Sequence, residues 1–222
     1  PMRRVIAFDL DGTLVDSAPA IREIAAAMLS ELGAAPLELS ETRRFIGEGA
    51  ARFVARALAA RGLPTEGPGF EAALARFEGL YAAAPGAANQ PFPGAEAALR
   101  AVAEAGAAPA LCTNKPRAPT LNLLDALGWR DLFAAVVAGD DLPERKPDAA
   151  PLRAAFAAAG GAGALYVGDS EIDEATAGAA GAPFALFTPG YRKKPVEAFD
   201  ALFAFDCWES AAPRLRALAT GA

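Results

Sequence analysis

Four short segments of this 222-residue chain concentrate the residue types that could do chemistry. The first reads Phe8-Asp9-Leu10-Asp11-Gly12-Thr13-Leu14-Val15-Asp16-Ser17. Two carboxylates one residue apart, at the end of an apolar run, are costly to bury unless a cation holds them. The second, Leu111-Cys112-Thr113-Asn114-Lys115-Pro116, puts a hydroxyl just past a strand and close to a helix start, where it can hydrogen-bond a phosphoryl oxygen beside backbone N–H groups. The third, Arg145-Lys146-Pro147-Asp148, offers an ammonium between a strand and a helix. In the fourth, Tyr166-Val167-Gly168-Asp169-Ser170-Glu171-Ile172-Asp173, one acid at a strand end and another four residues on aim at one point. Oxygen ligands without His or Cys suit Mg²⁺.

Each segment alone also has an ordinary structural reading. Asp-Gly is a turn signal, Thr at a strand end caps helices, a loop lysine is usually solvated, and acids at a helix start complement its dipole. None of these explains why Asp9, Asp11, Asp169, Asp173 and Lys146 should gather at one edge.

The elements that must position them follow from periodicity. Residues 4–10 are expected as a buried strand. Helical patterns occupy 18–32, 40–46, 48–61 and 69–83, with breaks at Gly33, Pro36, Gly47, Gly62 and Pro64 and with Ser17 and Ser40 as N-caps. Residues 85–94, rich in Pro and Gly, read as a linker. Strands at 108–112, 134–138, 164–167, 184–187 and 201–205 then alternate with helices at 95–105, 118–127, 151–159, 173–180 and 210–219. Such alternation predicts an α/β fold, a doubly wound parallel sheet covered on both faces, with a helical insertion after the first strand. Ligands of such sheets bind beyond the carboxyl ends of the strands, where all four segments fall.

Composition narrows the chemistry. Hydrophobic residues make up 53% of the chain, enough for a folded core, and the net charge of −6 argues against a nucleic-acid partner. The absence of histidine excludes Ser-His-Asp catalysis and histidine-ligated metals. Cys112 and Cys207 are expected as reduced thiols in apolar strands. Residues 5–10 are too short for a secretory leader and contain Asp9, and no window has the ~20 apolar residues of a membrane span. The expectation is a cytoplasmic protein with no membrane partner, its oligomeric state open. Arg192-Lys193-Lys194 should be solvated.

Taken in order, the four segments resemble the motifs of haloacid dehalogenase superfamily phosphatases, over nearly the whole chain. The resemblance implies a core of residues 1–15 and 89–222 with a small helical cap at 16–88. It implies Asp9 as nucleophile and Asp11 as acid/base, with Thr113, Asn114 and Lys146 on the phosphate. Mg²⁺ would be held by Asp9, the main-chain carbonyl of Asp11 and Asp169, with Asp173 in support, and Asp140, Asp141 and Arg145 would lie on the rim. An acid at position 11 sets the chain apart from the dehalogenases of that superfamily. The run Phe45-Ile46-Gly47-Glu48-Gly49-Ala50 and Pro189-Gly190-Tyr191 resemble bacterial phosphoglycolate phosphatases, so a small phosphorylated metabolite, 2-phosphoglycolate, is the implied substrate. Its carboxylate needs a cationic or N–H partner, for which Arg43, Arg44 and Arg52 are candidates, with Glu48 beside them. Other readings are a sugar-phosphate mutase or broad metabolite phosphatase on the same scaffold, a phospho-aspartate signalling module and an idle scaffold. The cap and Asp11 speak against the signalling module.

Overall fold

A computed structural model describes residues 3–221. The chain opens with β1 (Arg3–Phe8), followed by the short β2 (Val15–Asp16). Four helices come next: α1 (Ala18–Glu31), α2 (Leu39–Phe45), α3 (Ala50–Ala59) and α4 (Gly67–Ala83). The short β3 (Gln90–Pro91) pairs antiparallel with β2, so the entry to the helical block and its exit lie side by side. From there the chain alternates through α5 (Ala95–Glu104), β4 (Ala108–Cys112), α6 (Arg117–Leu127), β5 (Ala135–Val137), α7 (Ala149–Ala158), β6 (Gly161–Gly168), α8 (Glu171–Ala180), β7 (Phe184–Phe187), β8 (Phe203–Phe205) and α9 (Trp208–Thr220).

Six strands form one parallel sheet in the order β5-β4-β1-β6-β7-β8. β1 is central, and the chain builds outward from it first on one side and then on the other. That reversal opens a crevice at the carboxyl end of β1, between the ends of β4 and β6. The central strands read as apolar runs because both sheet faces are covered: β4 and β7 are buried at every residue. Alternation along β1 sends Ile6 and Phe8 into one core, with Leu99 and Trp208 of α5 and α9, and Val5 and Ala7 into the other, with Leu152 of α7.

The helical block has a third apolar cluster, with Ile21, Met28, Phe53 and Phe77 at its centre and Tyr191 contributed from the loop after β7. In α3 the buried residues Ala50, Phe53, Val54, Ala57 and Leu58 follow helical spacing, which explains why this alanine-rich segment docks by one face. No helix among the described residues is long and apolar enough to cross a membrane.

Three local expectations are corrected. Ser40 lies inside α2, whose cap is Glu38: Glu41 accepts from the Glu38 N–H and completes a capping box. Ser17 occupies the N-cap position of α1 but its hydroxyl makes no capping bond; the Tyr191 hydroxyl instead accepts from the backbone N–H of Ser17 and Ala18 at 3.0 Å each. Cys207 is exposed at the start of α9 rather than in a strand, whereas Cys112 is buried in β4.

Candidate active site

Asp9 follows β1 directly and is buried; its N–H donates to the Val167 carbonyl of β6, which fixes its position between two strand ends. Lys146, on the loop before α7, brings its Nζ to 2.9 Å from Asp9 Oδ1, an ion pair outside hydrogen-bond alignment, so that oxygen has no hydrogen-bond partner. The same ammonium lies 2.7 Å from Asp173 Oδ1 and 2.9 Å from the Tyr166 hydroxyl. Asp173 in the first turn of α8 uses both oxygens: Oδ1 also accepts from Tyr166, and Oδ2 accepts from the Ser170 hydroxyl at 2.7 Å and from the N–H groups of Ser170 and Asp169. Asp169 caps the end of β6 and accepts from Thr13 Oγ1 at 2.7 Å and from the Tyr191 N–H at 2.5 Å.

Protonation in this cluster follows from burial and charge. Burial pulls the Lys146 ammonium down, but the carboxylates of Asp173 and Asp9 outweigh it and hold it above its ordinary value. Burial, opposed by Lys146 and assisted by Asp173 and Asp11, pushes the Asp9 carboxyl up to about 7. Asp169 is raised well above the carboxyl range by burial and by its neighbours Asp173 and Asp9. In Asp173, burial is outweighed by the charge and hydrogen bond of Lys146, so its carboxyl lies below the usual range.

Oxygens of Asp9, Asp169 and Asp173 lie within 4.8 Å of one another, all buried. Of these three carboxylates Asp9 and Asp173 pair with the one ammonium, Asp9 keeps an oxygen without a hydrogen bond, and Asp9 and Asp169 resist ionisation while no positive charge is added. That donor set fits a hard divalent cation held by Asp9 and Asp169, with Asp173 already occupied by Lys146. Gly12 makes the approach possible: its φ is +87°, and an added Cβ would stand 2.6 Å from Asp169 Oδ2.

Thr113 lies past β4, its hydroxyl accepting from the Lys115 N–H at 3.2 Å, and lines the cavity over Asp9. Asn114 lines it too, but its amide ties three loops together: Oδ1 accepts from the Lys146 N–H, while Nδ2 donates to the Lys146 carbonyl and to the Gly47 carbonyl of the helical block, each at 3.0 Å. The remaining wall is apolar, with Ile21, Ile46, Phe53 and Phe77 from the helices.

The three arginines do not join this gathering. Arg43, Arg44 and Arg52 are all exposed; Arg43 pairs with Asp16 at 2.9 Å and Arg44 lies over the Phe45 ring. Glu48 pairs with Arg56, and Asp140, Asp141 and Arg145 sit exposed on the rim. The cavity wall instead carries Lys115 and Tyr81, which were not among the candidates. The Lys115 Nζ is 3.1 Å from Asp11 Oδ1 and 2.5 Å from the Tyr81 hydroxyl, and its side chain is 1% exposed. Burial, reinforced by the Asp11 charge, keeps Tyr81 protonated well above its ordinary range. The only signal for Lys115 in the sequence is its place directly after Thr113 and Asn114; for Tyr81 there is none beyond helical spacing.

A sequence model of the family described as haloacid dehalogenase-like hydrolase matches residues 3–181. The chain belongs to that family. It is similar to a phosphoglycolate phosphatase of Cereibacter sphaeroides (strain ATCC 17025 / ATH 2.4.3), 52% identical over 191 residues that cover 86% of this chain and 88% of the relative. Another of the same name, from Rhodospirillum rubrum, is 44% identical over 94% of this chain and 89% of its own. Among solved structures, a predicted phosphoglycolate phosphatase from Haemophilus somnus 129PT superposes with a TM-score of 0.85 at 27% identity, covering 96% of this chain and 97% of that one. This haloacid dehalogenase-like chain is thus a hydrolase, and the buried aspartates are the groups that suit it to phosphoric monoesters.

Proposed function

We propose that the protein is a Mg²⁺-dependent phosphatase that converts 2-phosphoglycolate to glycolate and phosphate through an aspartyl-phosphate on Asp9. The observation that carries the chemistry is a buried Asp9 with an unbonded carboxylate oxygen, facing Lys146 across 2.9 Å at the end of the central strand. The substrate rests on relatives up to 52% identical that bear its name.

Asp9 attacks phosphorus and the ester P–O bond breaks, while the Asp11 carboxyl gives its proton to the departing oxygen of glycolate. Asp11, now a carboxylate, takes a proton from water as that water attacks phosphorus, and the bond between Asp9 and phosphorus breaks to release phosphate. Lys146 and Thr113 neutralise and hydrogen-bond the phosphoryl oxygens; Asp173 and Tyr166 hold the Lys146 ammonium in place. Asp9, Asp169 and the main-chain carbonyl of Asp11 would hold Mg²⁺, which when bound supplies positive charge to the phosphoryl group. Residues 16–88 act as a cap on a core of residues 1–15 and 89–222. The antiparallel pairing of β2 with β3 at its root, its own apolar cluster and the Asn114 bond to Gly47 support that division, and closure excludes water from the acyl phosphate. The protein works in the cytoplasm on a free metabolite.

Phosphate release from phosphoglycolate, beside sugar phosphates and nucleotides, tests this in Mg²⁺ and in EDTA. Metal-dependent release led by phosphoglycolate by about tenfold or more, ~1.4 kcal/mol in transition-state binding, is expected. A different leading compound would overturn the substrate; release that persists in EDTA would overturn the metal.

A further inference from the structure

Phosphoglycolate carries two anionic groups, and the cavity offers two cations, Lys146 and Lys115. Lys146 is committed to the Asp9 end of the cavity: its ammonium donates to Asp173 and the Tyr166 hydroxyl and forms an ion pair with Asp9 at 2.9 Å. Lys115 has two partners, Asp11 and Tyr81, which leaves it one donor. Tyr81 accepts from Lys115, and its own O–H proton meets no acceptor among the described residues. The rest of the wall on that side, Ile21, Phe53 and Phe77, cannot solvate a charge.

We infer that Lys115 and Tyr81 form the carboxylate-reading end of the site and select phosphomonoesters of 2-hydroxy acids. This rests on the substrate reading above and names the residues that enforce it. Position supports it. Asp11 must touch the ester oxygen to protonate it, and Lys115 stands 3.1 Å from Asp11 Oδ1. In phosphoglycolate the carboxylate carbon is two bonds from that same oxygen, so a substrate engaged by Asp11 brings its carboxylate to the neighbouring ammonium. Tyr81 belongs to α4 of the helical block and Lys115 to the loop after β4, so this end of the site exists only when the block lies over the sheet. A substrate with the carboxylate further along its chain meets the apolar wall instead.

The test compares kcat/KM for phosphoglycolate with that for its neutral amide, in wild type, Lys115→Met and Tyr81→Phe. The ratio is the readout, because Lys115 also contacts Asp11 and its loss lowers both rates. A charge-assisted hydrogen bond to a buried group is worth about 10- to 100-fold, so Lys115→Met should lower the ratio by about that factor and Tyr81→Phe by less. A purely structural lysine would depress both substrates equally, and an unchanged ratio in Lys115→Met overturns the inference. If that variant does not fold, an unchanged ratio in Tyr81→Phe, which keeps the ring, does the same. A wild-type ratio near one would instead overturn the substrate reading, and the inference with it, before any variant is compared.

Discussion

Replacing Asp9 by asparagine keeps the shape of the carboxyl and removes its charge, which separates electrostatics from packing at the centre of the site. Burial, against the pull of Lys146, raises this carboxyl from 3.8 to about 7. The folded, metal-free protein therefore holds a proton that the unfolded chain releases between about pH 4 and 7. The associated stability is fully present below about pH 4 and is lost as pH rises through 7. Roughly three pK units correspond to about 4 kcal/mol. Asp9 shares its site with Asp173, Asp169 and Lys146, so about 1–3 kcal/mol is expected for the single change. In EDTA, wild type and Asp9→Asn should melt together at pH 4.5, and at pH 8 the variant should melt higher by about 3–10 °C, followed by circular dichroism. Mg²⁺ at pH 8 should reverse the order, because only the wild type offers the full ligand set. Phosphate release should fall by about 10³-fold or more. Parallel melting of the two proteins in EDTA at every pH would refute the buried-charge argument, and turnover close to wild type would remove Asp9 from the nucleophile's role.

Asp11→Asn should slow cleavage of an alkyl phosphate by about 10²–10⁴-fold. With p-nitrophenyl phosphate, whose leaving group needs no proton, it should give a burst of nitrophenol and then slow release; an unchanged kcat on phosphoglycolate would contradict the acid/base role. Asp173→Ala takes from the buried Lys146 the partner 2.7 Å away and should cost about 3–5 kcal/mol in denaturant titration. A loss below about 1 kcal/mol would mean that Asp9 alone balances that charge.

The strands, the helices and the insertion point were legible because each is a local pattern. Apolar runs such as Phe184–Phe187 occur where both sheet faces are covered, and α3 displays its buried face at helical spacing. The gathering of Asp9, Lys146, Asp169 and Asp173 was legible for a related reason: in a parallel sheet every strand delivers its carboxyl end to the same edge, so residues far apart in the chain share one address. Caps were read less well. Ser40 has the residue type of an N-cap, yet the Glu38–Glu41 box begins the helix two residues earlier, a choice between two local bonds that composition does not decide.

What the amino-acid pattern determined by itself is therefore the frame and the reacting edge. Pairing was decided by the tertiary structure. Lys115 meets Asp11, 104 positions away, and Tyr81, 34 away, only because α4 folds over the end of β4. The same closure leaves Arg43, Arg44 and Arg52 on the outer surface. Asn114, beside Thr113, is drawn into bonds with Lys146 and Gly47, and Tyr191 reaches from the loop after β7 to both Asp169 and the start of α1. Periodicity records which face of an element is buried. Which side chain meets which across that face depends on how two elements from distant parts of the chain come to rest against each other, and that geometry is set by packing of the whole.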